Sequence, residues 1–110
     1  MEETHHIHKL DQPSGTAITL AEGVIQHTHY DKWHDTQEHH NAVANSLPIQ
    51  SYREAEVPGT HQITYESAVD SIQICHTAHS REGFASGALA AALWLKGRKG
   101  VFTMKDVLRI

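Results

Sequence analysis

Three consecutive runs of partly alternating residues, at positions 48–54, 59–66 and 69–79, constrain the fold more than any other feature of this sequence. Alternation of apolar and polar side chains is typical of strands that bury one face. In the third run one face carries Ile72, Ile74, His76 and Ala78. The third run is therefore predicted to be a half-buried strand.

Two helical segments flank this strand-rich block. Ser14 is a candidate N-cap for a helix that runs to about His29, since the apolar residues that follow it recur at helical spacing. After residue 81 comes a long apolar helix rich in Ala and Gly, and Thr103 with Asp106 resembles a capping box that opens a short last helix. Residues 31–46 are polar and poorly periodic, which indicates a loop with at most a short helix.

These elements, with a first strand over residues 2–9, predict an α+β fold. Its order is strand, helix, three strands and two helices. We expect a mixed, mostly antiparallel four-stranded sheet with helices on one face. The chain has the length of one typical domain, and we divide it into residues 1–80, with the sheet, and the helical residues 81–110.

Composition excludes several classes of protein. The net charge of -4, with Lys and Arg few and spread out, argues against a nucleic-acid surface. No apolar run reaches the length of about 18 residues that a membrane span needs, and the start does not read as a signal peptide. The single cysteine, Cys75, cannot form a disulfide within the chain, which favours a reducing cytoplasm.

Residues 5–16 carry the residues that are best suited to chemistry. The turn Ser14–Thr16 would present free backbone N–H groups, hydroxyls and the partial positive charge of a helix N-terminus, which together suit an anion. Just before it, Lys9 supplies a full cation, and His5 and His6 supply proton donors. The segment therefore predicts binding of a small acidic substrate whose reaction needs a proton.

Strand geometry constrains how these residues could act together. On a straight strand, His5 and Lys9 share one face but lie about 13 Å apart. Both could reach one small ligand only if the chain curls back near Lys9. The turn-forming residues 11–13 could provide that bend.

The run His-His-x-x-Lys-x-Asp-x-Pro-Ser-Gly-Thr-Ala, at residues 5–17, resembles the signature of the dihydrodipicolinate reductase family. Members are NAD(P)H-dependent oxidoreductases of diaminopimelate and lysine biosynthesis. Segments 57–61, 72–81, 84–88 and 104–108 fall in the family's order, so the resemblance covers the whole chain. It implies the C-terminal substrate-binding and tetramerisation domain, with the fold of the glyceraldehyde-3-phosphate-dehydrogenase-like C-terminal domains.

The resemblance also implies roles for single residues. It makes His5 the proton donor and acceptor, and Lys9 a second donor that holds a carboxylate of the substrate. The residues expected to bind the cyclic dicarboxylate substrate are His6, Ser14, Gly15 and Thr16. Arg81 would be a second contact to a carboxylate or to the cofactor, and a hinge ion pair is the alternative for it.

The family's nucleotide-binding domain contains a Gly-x-Gly-x-x-Gly turn, which the seven glycines of this chain never form. The resemblance therefore implies that NADPH or NADH is bound in the parent enzyme, that this chain alone binds neither, and that it is inactive by itself. It further implies a homotetramer joined through the sheet at residues 48–79. Residues 81–110 would return to the nucleotide-binding domain, so the Ala-rich helix is expected to lack its usual partner here.

Eleven histidines raise a second hypothesis, a non-enzymatic histidine-rich module that binds a metal or a metabolite. His6 and His8 share a strand face, and His34, Glu38 and His39 could meet on a helix. Zinc needs three or four converging ligands, and the sequence has no His-Glu-x-x-His motif. We therefore predict no native metal site. The histidines predicted to be exposed are His27, His29, His34, His39 and His40; those predicted to be structural are His61 and His76.

Overall fold

A computed structural model describes all 110 residues, which form five strands and three helices. The strands are β1 (Glu2–His5), β2 (Lys32–Asp35), β3 (Ser46–Arg53), β4 (Gly59–Glu66) and β5 (Ser71–Ala78). The helices are α1 (Gly15–Ile25), α2 (Glu82–Leu95) and α3 (Met104–Leu108). The chain divides into two compact units: Met1–His79 holds the strands and α1, and Ser80–Ile110 holds α2 and α3.

The five strands form one sheet in the order β2-β3-β1-β4-β5. The central strand β1 runs parallel to β3 and antiparallel to β4. At the two edges, β2 is parallel to β3 and β5 is antiparallel to β4. The predicted α+β class and mixed sheet are confirmed. The sheet has one strand more than predicted, and its parallel and antiparallel pairs are equal in number rather than mostly antiparallel.

The additional strand is β2, which lies in the segment predicted to be a loop. Its sequence shows no apolar alternation because the two side chains that it buries, His34 and Asp35, are polar. Hydrogen bonds satisfy both of them. His34 Nδ1 lies 2.8 Å from Ser46 Oγ, and Asp35 Oδ2 accepts a hydrogen bond of 3.0 Å from Gln12. The prediction that His34 is exposed was wrong for the same reason.

The core of the first unit lies between α1 and the centre of the sheet. It consists of Ala17, Ala21, Val24, Leu47 and Ile49. The small alanines let the backbone of α1 approach β3 closely, and Ile49 fills the space between them with a fully buried side chain. The helix ends at Ile25, four residues before the predicted end. This small core therefore fixes the start of α1 above the sheet.

The edge strand β5 is exposed along nearly its whole length, so the prediction of a half-buried strand was wrong for this chain. Its only strand neighbour is β4, and no buried residue lies on it.

In the second unit, α2 has no buried residue, and α3 begins at the predicted capping box, where Asp106 Oδ2 accepts a hydrogen bond of 2.6 Å from the Thr103 N–H. No helix of the chain has both the length and the apolar character needed to cross a membrane.

Candidate functional site

The candidate site is built around the end of the central strand β1. Glu3 and His5 are two residues apart on this strand, so their side chains point to the same face, and both are buried. The strand ends at His5, and the chain then turns, with the Lys9 N–H bonded to the His6 carbonyl at 3.2 Å. The predicted strand over residues 2–9 was therefore too long. The bend that we expected at residues 11–13 already begins at His6.

Glu3 is the centre of the polar contacts at this site. Its side chain is fully enclosed, and its Oε2 contacts His5 Nδ1 directly. The other oxygen, Oε1, accepts a hydrogen bond of 3.0 Å from Arg53 Nη1 and a longer one of 3.4 Å from the Ser14 N–H. Burial by itself raises the pKa of Glu3, but hydrogen bonds with Ser51 and Arg53 and the charges of Arg53 and His5 bring the net pKa below its usual value. Glu3 is thus a buried, ionised acceptor.

Ser14 joins the start of α1 to the sheet. It follows a cis peptide bond between Gln12 and Pro13, and its backbone is extended, as an N-cap residue requires. The Ser14 hydroxyl accepts a hydrogen bond of 3.2 Å from the Ala17 N–H, which confirms the predicted cap. The same oxygen lies 3.1 Å from Nε2 of the buried His61 on β4. One side chain therefore caps the helix and satisfies a buried histidine.

His61 and His5 lie side by side. Their ring centroids are 5.0 Å apart, with the rings nearly perpendicular. Burial lowers the pKa of His61, and the charge of the neighbouring His5 lowers it further. His61 therefore favours its neutral form. The sequence placed His61 among the structural histidines and gave no sign that it would adjoin His5.

Arg53 connects this buried pair to Lys9. Besides its bond to Glu3, Arg53 donates a hydrogen bond of 2.7 Å from Nη2 to the backbone carbonyl of Asp11. The Asp11 carboxylate in turn lies 2.9 Å from Lys9 Nζ, and this hydrogen bond holds the pKa of Asp11 below its usual range. A continuous chain of contacts thus leads from the Lys9 ammonium to the His5 ring.

The predicted site residues differ in their placement. His5 and Ser14 are buried and meet through Glu3 and His61, whereas Gly15 and Thr16 are exposed on the first turn of α1. Lys9 pairs with Asp11, and the ring of the half-buried His6 is 5.9 Å from that of His8. Arg81 lies at the start of α2, in the second unit.

Sequence reasoning missed Glu3 and Arg53. Glu3 could have been found, because a carboxylate two residues before a histidine on one strand shares its face. Arg53 could not, because it reaches the site through the pairing of β1 with β3, in which it lies opposite His5. The local pattern of β1 does not show that its parallel neighbour is the distant strand β3.

The histidine sets suggested for a metal form only as pairs, since the ring centroids of His34 and His39 lie 6.3 Å apart and those of His6 and His8 lie 5.9 Å apart. His34 lies on β2 rather than on a helix, while His27, His29, His39 and His40 are exposed as predicted. The ligand atoms that do converge belong to Glu3, His5 and His61, which lie within 4.8 Å of one another. A cation there would compete with Arg53 for the same carboxylate. The contacts therefore favour a carboxylate–histidine pair over a metal centre.

The fold and the site define an α+β domain with a buried carboxylate–histidine pair beside a capped helix N-terminus. The sequence model of the family described as "Dihydrodipicolinate reductase, C-terminus" matches residues 1–108 of this chain. The chain belongs to this family.

Similar proteins agree with this assignment. A 4-hydroxy-tetrahydrodipicolinate reductase from Christiangramia forsetii is 53% identical over 108 residues, which are 98% of this chain and 44% of that protein. A protein of the same name from Akkermansia muciniphila is 43% identical over 112 residues, which cover 96% of this chain and 46% of the relative. The chain thus spans less than half the length of these relatives.

A solved structure shares the fold. It is described as "Dipicolinate bound Dihydrodipicolinate reductase from Paenisporosarcina sp. TG-14". Its TM-score to this chain is 0.60 at 26% sequence identity, over 80% of this chain and 36% of that one. The likeness in structure thus points to the same family as the likeness in sequence.

Proposed function

We propose that this chain is the substrate-binding half of a 4-hydroxy-tetrahydrodipicolinate reductase, an oxidoreductase of diaminopimelate and lysine biosynthesis. The observation that carries the proposal is the buried contact between Glu3 and His5 at the end of β1, beside the Ser14 cap of α1. A histidine held by a carboxylate is a common form of general acid or base. The relatives named as this reductase, and the structure named as binding dipicolinate, support the reaction and the substrate class.

In the proposed reaction His5 gives a proton to the carbon skeleton of a cyclic dicarboxylate. Lys9 leaves Asp11 to hold one carboxylate of that substrate, because a substrate anion that replaces Asp11 keeps the ammonium paired. His6, Ser14, Gly15 and Thr16 would bind the second carboxylate, with the N–H groups of the exposed Gly15 and Thr16 at the start of α1 as donors. Arg81 remains a candidate contact for a carboxylate or for the cofactor.

The cofactor of the parent enzyme is a nicotinamide nucleotide, NADPH or NADH, which supplies a hydride when it is bound. The residues of this chain do not fit that group, because none of its glycines form the turn that cradles a dinucleotide. We therefore assign no step and no residue of the first unit to the cofactor. The proposal includes that the chain by itself turns over no substrate.

Binding of pyridine-2,6-dicarboxylate, a flat analogue of the substrate, tests the proposal by titration calorimetry. We expect binding in the micromolar to millimolar range that Lys9→Ala abolishes. Lys32→Ala is the matched control, since Lys32 is an exposed lysine on β2 that has no part in the proposed site. Failure of the unmodified chain to bind, or equal loss in both variants, would contradict the proposal.

We propose further that the sheet joins copies of this chain in a homotetramer. Cross-strand pairs on β4 and β5 place Ile63 opposite Ile74 and Tyr65 opposite Ile72. Both isoleucines of β5 are 59% exposed, which is unusual for side chains of this kind on an edge strand. Sedimentation should show tetramers that Ile74→Asp dissociates and that Gln73→Asp, on the other face, leaves intact. A monomer at high concentration would refute this.

For residues 81–110 we propose a docking role toward the nucleotide-binding domain of the parent enzyme. The helix α2 exposes Phe84, Leu89 and Leu93 by 56–68%. Hydrogen exchange tests this: α2 should exchange rapidly in this chain and slowly when the chain is joined to that domain. Equal rates in both would contradict the proposal.

A further inference from the structure

The two oxygens of the Glu3 carboxylate serve different partners. Oε1 accepts hydrogen bonds from Arg53 Nη1 at 3.0 Å and from the Ser14 N–H at 3.4 Å. Oε2 contacts His5 Nδ1, and the hydroxyl of the buried Ser51, opposite Glu3 on β3, also interacts with this carboxylate. Because an ionised carboxylate has no proton to give, the nitrogen that bonds to it must carry one. Neutral His5 is therefore protonated on Nδ1 and has its free electron pair on Nε2.

The other ring nitrogen, Nε2, lies beside Gly59 at the start of β4. A Cβ on Gly59 would lie 3.1 Å from His5 Nε2, closer than ordinary contact, so the ring of His5 fits here only because residue 59 has no side chain. Arg53 lies opposite His5 in the parallel pairing of β1 with β3, and further hydrogen bonds of 2.7 Å to the Tyr52 and Asp11 carbonyls fix its own position. The Glu3 carboxylate and the His5 ring are thus held in place by the pairing of β1 with β3 and by the close approach of Gly59 on β4.

We propose that Glu3, held by Arg53, is the positioning residue that fixes the tautomer of His5, so that Nε2 is the nitrogen that gives its proton to the substrate. This inference rests on the proposed function. In the step, the Nε2–H bond of the charged ring breaks, its electrons stay on Nε2, and the proton forms a C–H bond with the electron pair of a carbanion-like carbon of the substrate. The ring becomes neutral and keeps the proton on Nδ1, which still donates a hydrogen bond to Glu3. Solvent later returns a proton to Nε2.

The variant Glu3→Gln tests this sharply because it changes one atom. Arg53 and the Ser14 N–H both require an acceptor at the position of Oε1, so the amide oxygen stays there. The amide NH2 group then takes the place of Oε2 and faces His5 Nδ1, which must accept instead of donate. The neutral tautomer of His5 is expected to switch, with the proton moving to Nε2.

Nitrogen-15 NMR of the histidine rings reads the tautomer directly. In the unmodified chain the neutral His5 ring should carry its proton on Nδ1, and in Glu3→Gln on Nε2. The matched control is Glu56→Gln, because Glu56 pairs with His8 Nε2 at 2.9 Å at a solvent-exposed position. It should leave His5 unchanged. A neutral His5 protonated on Nε2 in the unmodified chain overturns the proposal, even if Glu3→Gln does not fold.

Kinetics connect the tautomer with the reaction. We would join this chain, and each variant, to the nucleotide-binding half of the 53% identical Christiangramia forsetii relative. Glu3→Gln should lower kcat by about 10²–10⁴-fold, the usual contribution of a general acid, with KM changed by only a few fold. An unchanged kcat, or an equal loss in Glu56→Gln, overturns the positioning role.

Calorimetry with pyridine-2,6-dicarboxylate separates this inference from the proposed function. If Glu3→Gln still binds the analogue while kcat falls and the tautomer switches, both stand. If the unmodified chain binds the analogue but the tautomer is the other one, only the positioning role fails. If the unmodified chain does not bind and the unmodified chimera is inactive, the proposed function fails, and the positioning role fails with it.

Discussion

Replacing Ser14 with alanine removes one oxygen atom that serves two buried partners. The hydroxyl caps α1 through the Ala17 N–H at 3.2 Å and lies 3.1 Å from His61 Nε2. Ser14 is only 2% exposed and His61 only 9%, so water cannot easily replace the lost contacts. Loss of an N-cap costs about 1 kcal/mol, and an unsatisfied buried nitrogen costs about 1–3 kcal/mol. We therefore expect Ser14→Ala to lower the free energy of unfolding by about 2–4 kcal/mol.

Urea unfolding followed by circular dichroism measures this loss, and a double-mutant cycle separates its two parts. In His61→Leu the buried nitrogen is gone, so a further Ser14→Ala change should cost only the cap, about 1 kcal/mol. The sum of the two single losses of unfolding free energy should then exceed the loss in the double variant by about 1–3 kcal/mol. Additive losses would show that Ser14 and His61 do not interact, and a Ser14→Ala loss below about 0.5 kcal/mol would refute the whole account.

Three further predictions concern the core, the ring of His5 and acid stability. Ile49→Ala should lower the free energy of unfolding, measured in urea, by about 2–5 kcal/mol, because the side chain is 0% exposed. A smaller loss would mean that neighbouring core residues move in to fill the cavity. Gly59→Ala should cost about 1–3 kcal/mol and shift the ring resonances of His5, since its Cβ would lie 3.1 Å from Nε2; an unmoved ring would contradict this. Folding lowers the pKa of His61 from 6.5, so the unfolded chain binds the proton more tightly than the folded chain. The contribution of neutral His61 to the free energy of unfolding is therefore complete above pH 6.5 and is lost as the pH falls below it. Folding likewise lowers the pKa of Glu3 from 4.5, which adds a second loss below pH 4.5. Urea midpoints at pH 7 and pH 5.5 should differ less in His61→Gln than in the unmodified chain, and equal differences would refute the role of His61.

The sequence predicted those elements whose local signals agree with their environment. Ser14 is a good cap before a helix with apolar spacing, and α1 begins where predicted. β2 was missed because its buried residues, His34 and Asp35, are polar and owe their burial to specific hydrogen bonds. β5 was predicted to be half buried because its alternation is real, but alternation shows only that a face is suited to burial and not which surface covers it.

The residues of the candidate site likewise fall into those that the local sequence predicted and those that it did not. The motif at residues 5–17 identified His5, Lys9 and the start of α1, because these positions are close in sequence. It could not identify Arg53 or His61, which reach His5 through the pairing of β1 with β3 and with β4. Local patterns thus indicate which side chains could carry the chemistry, whereas the sheet decides which groups hold them.

The central position of β1 explains why one short strand can organise this site. A strand between a parallel and an antiparallel neighbour receives side chains from both, so Arg53 on one side and His61 on the other meet the same pair, Glu3 and His5. Both oxygens of Glu3 are then engaged inside the protein, which offsets the cost of burying its charge. An edge strand would leave one side of this carboxylate to water, where the alignment of the His5 ring would be lost. We conclude that the order of the strands, more than the motif itself, makes His5 a histidine of defined orientation.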